Sequence, residues 1–139
     1  MSSSRDLMET RYVATAIARP PRDVYAFASD PRNLPAWASG LAGTVRQVEG
    51  EWRANSPLGD IRIRMAPHNE FGVLDHDVIL ESGVSVHNPL RVMPNGSGSE
   101  VVFVLFRRPD MTPEQLAEDA RTVQQDLATL KQLLEAPMR

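Results

Sequence analysis

TPEQLAEDARTVQQDLATLKQLLE, Thr112 to Glu135, is the stretch that decides how the rest of the chain must be arranged. Thr112-Pro113-Glu114-Gln115 has the form of a capping box: a hydroxyl for the exposed N–H groups, proline at the first helical position, and Gln three residues after the cap. Leu116, Ala120, Val123, Leu127, Leu130 and Leu134 then recur at alternating four- and three-residue steps, which aligns them in one stripe along a helix. Glu118, Asp119, Gln125, Asp126 and Lys131 fall largely off that stripe, and Pro137 stops the helix just beyond Glu135. The spacing predicts a helix about 35 Å long, at 1.5 Å per residue, with one apolar side to bury. The residues before it must supply the surface that receives that side.

A chain of 139 residues suits one domain with one core, expected over residues 11–136 behind a loose tail over residues 1–10. A formal charge of −3 offers no general attraction to phosphate backbones, and Arg62 and Arg64 alone do not make a basic stripe, so nucleic acid is a poor partner. The absence of cysteine excludes disulfides, thiolate metal sites, iron–sulfur clusters and a thiol nucleophile. Met1 to Thr10 has no secretory apolar run, and no later segment approaches the ~18 consecutive apolar residues of a membrane span. The expectation is a cytoplasmic protein without membrane insertion.

Before the terminal helix, Tyr12 to Ala18 alternates as a strand and Arg19-Pro20-Pro21 ends it. Val24, Tyr25, Phe27 and Ala28 follow at helical spacing, and Asp30-Pro31 opens a second short helix that carries Asn33, Leu34 and Trp37. Strands are then predicted at Thr44–Glu49 and Glu51–Asn55, turned at Gly50, and at Ile61–Met65 after the turn Pro57-Leu58-Gly59-Asp60. Gly72–Leu80, Val84–Met93 interrupted by Pro89, and Glu100–Arg107 complete about seven strands. Short turns join antiparallel neighbours. The fold class is therefore α+β: a curved antiparallel sheet around a long C-terminal helix, with two short helices after the first strand.

Ile17-Ala18-Arg19-Pro20-Pro21-Arg22-Asp23-Val24-Tyr25-Ala26-Phe27, followed by Asp30-Pro31-Arg32-Asn33-Leu34-Pro35-Ala36-Trp37, resembles the opening of the helix-grip, START-like superfamily (SRPBCC). That superfamily includes START domains, polyketide cyclase/dehydrase-like proteins and plant pathogenesis-related allergens. Phe71 to Val78, Asn88 to Val92 and Asn95 to Phe103 resemble a bacterial subgroup labelled cyclase-like or uncharacterised. The glycine-rich loop of the plant allergen branch is missing, with only Gly50 between the second and third strands. The resemblance covers nearly the whole chain. It implies the helix-grip fold and a cavity for an apolar or amphipathic small molecule between sheet and helix; separately, Gly-rich phosphate loops are absent and no cofactor is expected.

If Leu74, Val78 and Leu80 face inward, period-2 geometry points His76 inward with them and sends Asp75 and Asp77 to the opposite face. His76 is then either a hydrogen-bonded core histidine or an acid–base group in an apolar cavity, without a carboxylate from its own strand to orient it. Arg91 and Arg107 can hold a ligand carboxylate at the cavity mouth or pair with Asp75, Asp77 or Glu100. Trp37 and Trp52 can line an entrance or fill core. The expected lining is Trp37, Trp52, Ile61, Ile63, Met65, Leu74, His76, Val78, Arg91, Val123 and Leu127. His68, His76 and His87 lack metal-ligand spacing, so no metal is expected, and Gly96-Ser97-Gly98 is a hairpin turn rather than a nucleophile elbow.

Three readings follow. The first is a module that binds a hydrophobic or amphipathic small molecule. The second is a cyclase/dehydratase enzyme in which His76 moves a proton. The third is a protein-interaction domain with a closed core. A homodimer is left open.

Overall fold

The structure, a computed structural model, describes residues 7–40, 45–57 and 59–137. The expected loose tail, the Thr44 start of the second strand and Leu58 of the next turn therefore lie wholly or partly outside the described residues.

The long helix α3 (Pro113–Glu135) carries the full capping box: the Thr112 hydroxyl accepts from the Gln115 N–H at 3.1 Å, and the Gln115 side-chain oxygen accepts from the Thr112 N–H at 2.8 Å. Two orphan donors of the first turn are thus satisfied reciprocally. At the other end Ala136 leaves the helical region, as the residue before Pro137 must. Of the stripe, Leu116, Ala120, Leu127, Leu130 and Leu134 are buried, and Val123 alone is half-buried.

The strands are β1 (Thr10–Ile17), β2 (Arg46–Val48), β3 (Glu51–Ser56), β4 (Gly59–Met65), β5 (His76–Ile79), β6 (Ser85–Asn88), β7 (Leu90–Asn95) and β8 (Gly98–Phe106). After β1 come α1 (Pro21–Ala28), then a 3-10 turn at Pro31–Asn33 that runs into α2 (Leu34–Trp37). All pairings are antiparallel, in the orders β1-β8-β7 and β2-β3-β4-β5-β6.

Eight strands stand where about seven were expected, and Pro89 is the reason. It has no N–H to give a ladder, so the Val84–Met93 run divides there into β6 and β7, one strand per sheet. The Gly72–Leu80 run divides at the same level. Gly72 and Leu74 pair with β7, through Val92 N–H to Gly72 O at 2.9 Å and Leu74 N–H to Leu90 O at 2.8 Å, whereas β5 pairs with β6. Asp75 closes the joint: its carboxylate accepts the Leu90 N–H at 3.0 Å and takes the Arg91 guanidinium at 2.8 Å on both oxygens. A side chain thus replaces the missing rung where the two sheets meet, in place of the single curved sheet expected.

The apolar interior is divided. The larger cluster joins β1, β7, β8, α1 and α3 through Val13, Ile17, Val24, Leu90, Val101, Leu116, Leu127 and Leu130. A smaller one holds Ala54, Ile61 and Ile63 of β3 and β4, with Trp52, Val78 and Leu80 packed against it. The helix α3 packs on β1, β8 and α2, so it covers the three-stranded half and leaves the inner face of β3–β5 short of a partner. The half-buried Leu34 and Met65 pack against both clusters, and the space left between them positions the site. On the outer face, Arg62 and Arg64 pair with Glu51 at 3.3 and 3.7 Å, and Arg53 pairs with Asp60 at 3.2 Å.

Candidate functional site

Between the clusters lies a cavity of about 250 Å³. Its floor is the inward side of β4 and β5, where alternation places Ile61, Ile63 and Met65, with His76 and Val78 on the neighbouring strand. Phe103 closes one side. Val123 and Leu127 of α3 form the roof, and Leu34, Trp37 and Ala38 of the short helical segment form the end wall. The half-burial of Val123 is explained here, because its outer atoms face the cavity.

Eight expected residues are brought together: Trp37, Ile61, Ile63, Met65, His76, Val78, Val123 and Leu127. Three are not. Leu74 is only 1% exposed and belongs to the larger core cluster. Trp52 stands directly opposite Ile63 but packs with the smaller cluster. Arg91 lies on the outer face, bound to Asp75, as a residue beside the inward Leu90 and Val92 must. Arg107 is also occupied, by Glu9 at 2.9 Å and the Met111 carbonyl at 3.1 Å.

Three polar lining residues were not singled out from sequence: Asn88, Thr122 and Asp126. Asn88 is the direct cross-strand partner of His76 and shares its face. Asp126 sits one residue before Leu127, at the flank of the stripe, and its carboxylate accepts the Ser39 N–H at 3.1 Å. Burial pushes its pKa above the ordinary aspartate value, against the opposing hydrogen bond from Ser39.

The His76 ring has a fixed tautomer. Its Nδ1 lies 3.0 Å from the Leu74 carbonyl oxygen, which can only accept, so Nδ1 carries the proton and the Nε2 lone pair has no partner among the described residues. Protein surrounds the ring, with Phe103 edge-on at 6.0 Å, and its remaining exposure is toward the cavity. Burial holds its pKa below the ordinary histidine value, opposed by the Leu74 bond and by Asp75 and Asp77. Neither carboxylate touches the ring: Asp75 binds Arg91, and Asp77 binds His87 at 2.7 Å on the other face. His76 is therefore neutral at neutral pH and presents an acceptor.

Trp37 contributes the apolar part of its ring to the end wall. Its indole Nε1–H is buried without an acceptor among the described residues, an uncommon and costly state for a donor. No Lys or Arg is among the described lining residues. The three histidines do not converge: His68 lies against Tyr25 and His87 against Asp77, and no cluster able to hold a metal occurs among the described residues.

A second depression of about 530 Å³ lies outside this space, beside α1, β7 and the Pro67–Gly72 loop, and shares no residue with it.

No family model matches the chain, and no curated protein matches it. Solved structures do. XoxI from Bacillus cereus superposes with a TM-score of 0.72 at 16% identity, over 91% of this chain and 96% of that one. The Aha1 dimer protein from Colwellia psychrerythraea gives 0.69 at 15% identity, over 92% and 97%. Ara h 8.0201 gives 0.67 at 13% identity, over 91% and 97%. Likeness at these identities establishes architecture, and with the observed element order it shows that the chain adopts the helix-grip α+β fold.

Proposed function

We propose that the chain binds a small amphipathic molecule, neutral or cationic, between α3 and the inner face of β3–β5. The observation that carries this reading is the space in the core: two apolar clusters, bridged by the half-buried Leu34 and Met65, leave about 250 Å³ between them that no side chain of the described residues fills. Unfilled apolar space forfeits dispersion contacts and costs stability. A ligand restores those contacts. The volume lies just below the usual ligand-pocket range and suits a compact ring system better than a long acyl chain.

Polar groups define the ligand further. The free Nε2 of His76 accepts from a ligand hydroxyl or amine. Asp126 has no cationic partner among the described residues and faces the same space. A ligand carboxylate would be buried beside Asp126 with no compensating charge, which is strongly unfavourable.

The test is a matched set on one ring: naphthylmethanol, naphthylmethylamine and naphthoate, titrated by calorimetry. The alcohol and the amine are expected to bind, and the carboxylate to bind at least about tenfold more weakly. Failure of all three, and of other compact apolar rings, overturns the reading.

The same Nε2 favours a second reading, an enzyme of cyclase/dehydratase type. His76 would take a proton from carbon next to a substrate carbonyl, with the Asn88 amide as donor to the developing enolate. His76→Gln should abolish such turnover and leave binding of naphthylmethanol within about tenfold, and full turnover by that variant would remove the role. The closed-core interaction domain fits the unfilled space least well.

A further inference from the structure

Phe71 is 83% exposed, more than any other large apolar side chain among the described residues, and its loop is built to hold it there. The Asn69 side chain accepts the N–H groups of Phe71 and Val73 at 3.0 and 3.1 Å and donates to the carbonyls of Pro67 and Val73, both at 2.9 Å. The Asn69 N–H donates to the Tyr25 hydroxyl at 2.9 Å, which ties the loop to α1. Gly72, at φ +74°, accepts from Val92 and ties it to β7; any Cβ there would collide with the Val92 carbonyl oxygen. Holding an aromatic ring in water gains nothing for the monomer. A ring presented on a pinned loop can be buried by a partner with little further ordering cost.

The second depression adjoins Phe71. Pro21, Tyr25, Ala26, Val92 and Pro94 supply the apolar part of its wall together with Phe71 itself, and Arg22 and Glu70 lie on it with opposite charges. Both charges are available: the Arg22 side chain is 89% exposed with its nearest carboxylate, Asp23, at 3.9 Å, and Glu70 has no ion pair among the described residues. One face therefore carries an aromatic projection, an apolar recess, a cation and an anion. A two-fold axis brings such a surface onto itself and requires this kind of self-complementarity.

We propose that this face is the contact surface of a homodimer. Phe71 of each protomer enters the recess beside α1 of the other, and Arg22 meets the partner's Glu70 twice across the axis. A foreign protein would have to match all four features separately, whereas a second copy matches them by symmetry. None of it overlaps the cavity under α3, so dimerisation stands apart from ligand binding.

Sedimentation velocity of the full chain, from low to several hundred micromolar, tests this. The wild type is expected to pass from monomer to dimer. Phe71→Ser should weaken association at least about 30-fold, as loss of a buried aromatic anchor does, with an unchanged circular dichroism spectrum because the ring is exposed in the monomer. Arg22→Glu and Glu70→Arg should each weaken the dimer, and the double variant should restore it. A wild type that stays monomeric throughout overturns the proposal. So does a dimer indifferent to Phe71→Ser, or one that the charge exchange fails to rescue.

Discussion

Val123→Phe separates a real cavity from a merely loose core. Val123 is the one stripe residue of α3 that is not buried, and it faces the space above Ile63 and His76. The helix tolerates the change, because Val and Phe have similar helix propensities. At ~0.8 kcal/mol per buried CH2, the added ring atoms gain roughly 2–3 kcal/mol if they enter the space. Off-rotamer strain and small shifts oppose this by about 1–3 kcal/mol. The net expectation is a stability within about 1 kcal/mol of wild type, or a few degrees in Tm for a chain of this size. Leu130→Phe is the comparison. Leu130 is 0% exposed and lines neither of the two depressions, so the same enlargement there should cost about 1–3 kcal/mol. Urea unfolding gives both values, and calorimetry with naphthylmethanol gives the second readout, which Val123→Phe should abolish. If Val123→Phe is destabilised as much as Leu130→Phe, the space does not exist as described. If it is stable and still binds the probe, the ligand is not held under α3.

Other outcomes follow from the charges. Asp126 has a raised pKa, so its ionised form costs stability above that pKa, and the cost disappears as pH falls to the ordinary aspartate range near ~3.9. Asp126→Asn, which keeps the acceptor for Ser39, should be more heat-stable than wild type at neutral pH and lose that advantage in acid. Asp75 has the opposite sign: the Arg91 hydrogen bonds lower its pKa, so its contribution is present above ~3.9 and lost as pH falls through the lowered value. Asp75→Ala should cost about 1–3 kcal/mol in urea unfolding, because the Leu90 N–H at the strand joint loses its acceptor. His76 resists protonation in the folded state, so wild-type stability falls as pH drops below ~6.5, where the unfolded chain takes up the proton. Thermal unfolding of His76→Gln should lack that loss, and nitrogen chemical shifts of wild-type His76 should report a proton on Nδ1 at neutral pH.

The elements that organise the fold were legible because they are local. Thr112 to Gln115 is a cap in sequence and in space, and the leucine stripe identifies the buried side of α3 without reference to anything it touches. Alternation likewise gave the correct facing of His76 against Asp75 and Asp77. The extent of coverage was not local. Whether Val123 meets a filled core or a space depends on α3 lying over β1 and β8 rather than over β3–β5, and no periodicity encodes that placement. Leu74 was misassigned to the lining for this reason: it faces inward but into the covered half. Arg91 was misassigned because Pro89 divides the strand, and the Asp75 side chain then bridges the joint. Asn88 was within reach, since period-2 from Val86 places it on the inner face. Asp126 was not, because a flank position on a helix can turn to water or to a rim with equal ease.

Native mass spectrometry of wild type and Val123→Phe, purified side by side from the same cells and followed by solvent extraction, tests the central claim most directly. Wild type is expected to carry a discrete small-molecule mass, neutral or basic on extraction, and Val123→Phe to fly at its bare chain mass. Identical bare masses for both, unchanged after incubation with compact apolar alcohols and amines, would contradict the account and leave the space between the two clusters without a ligand.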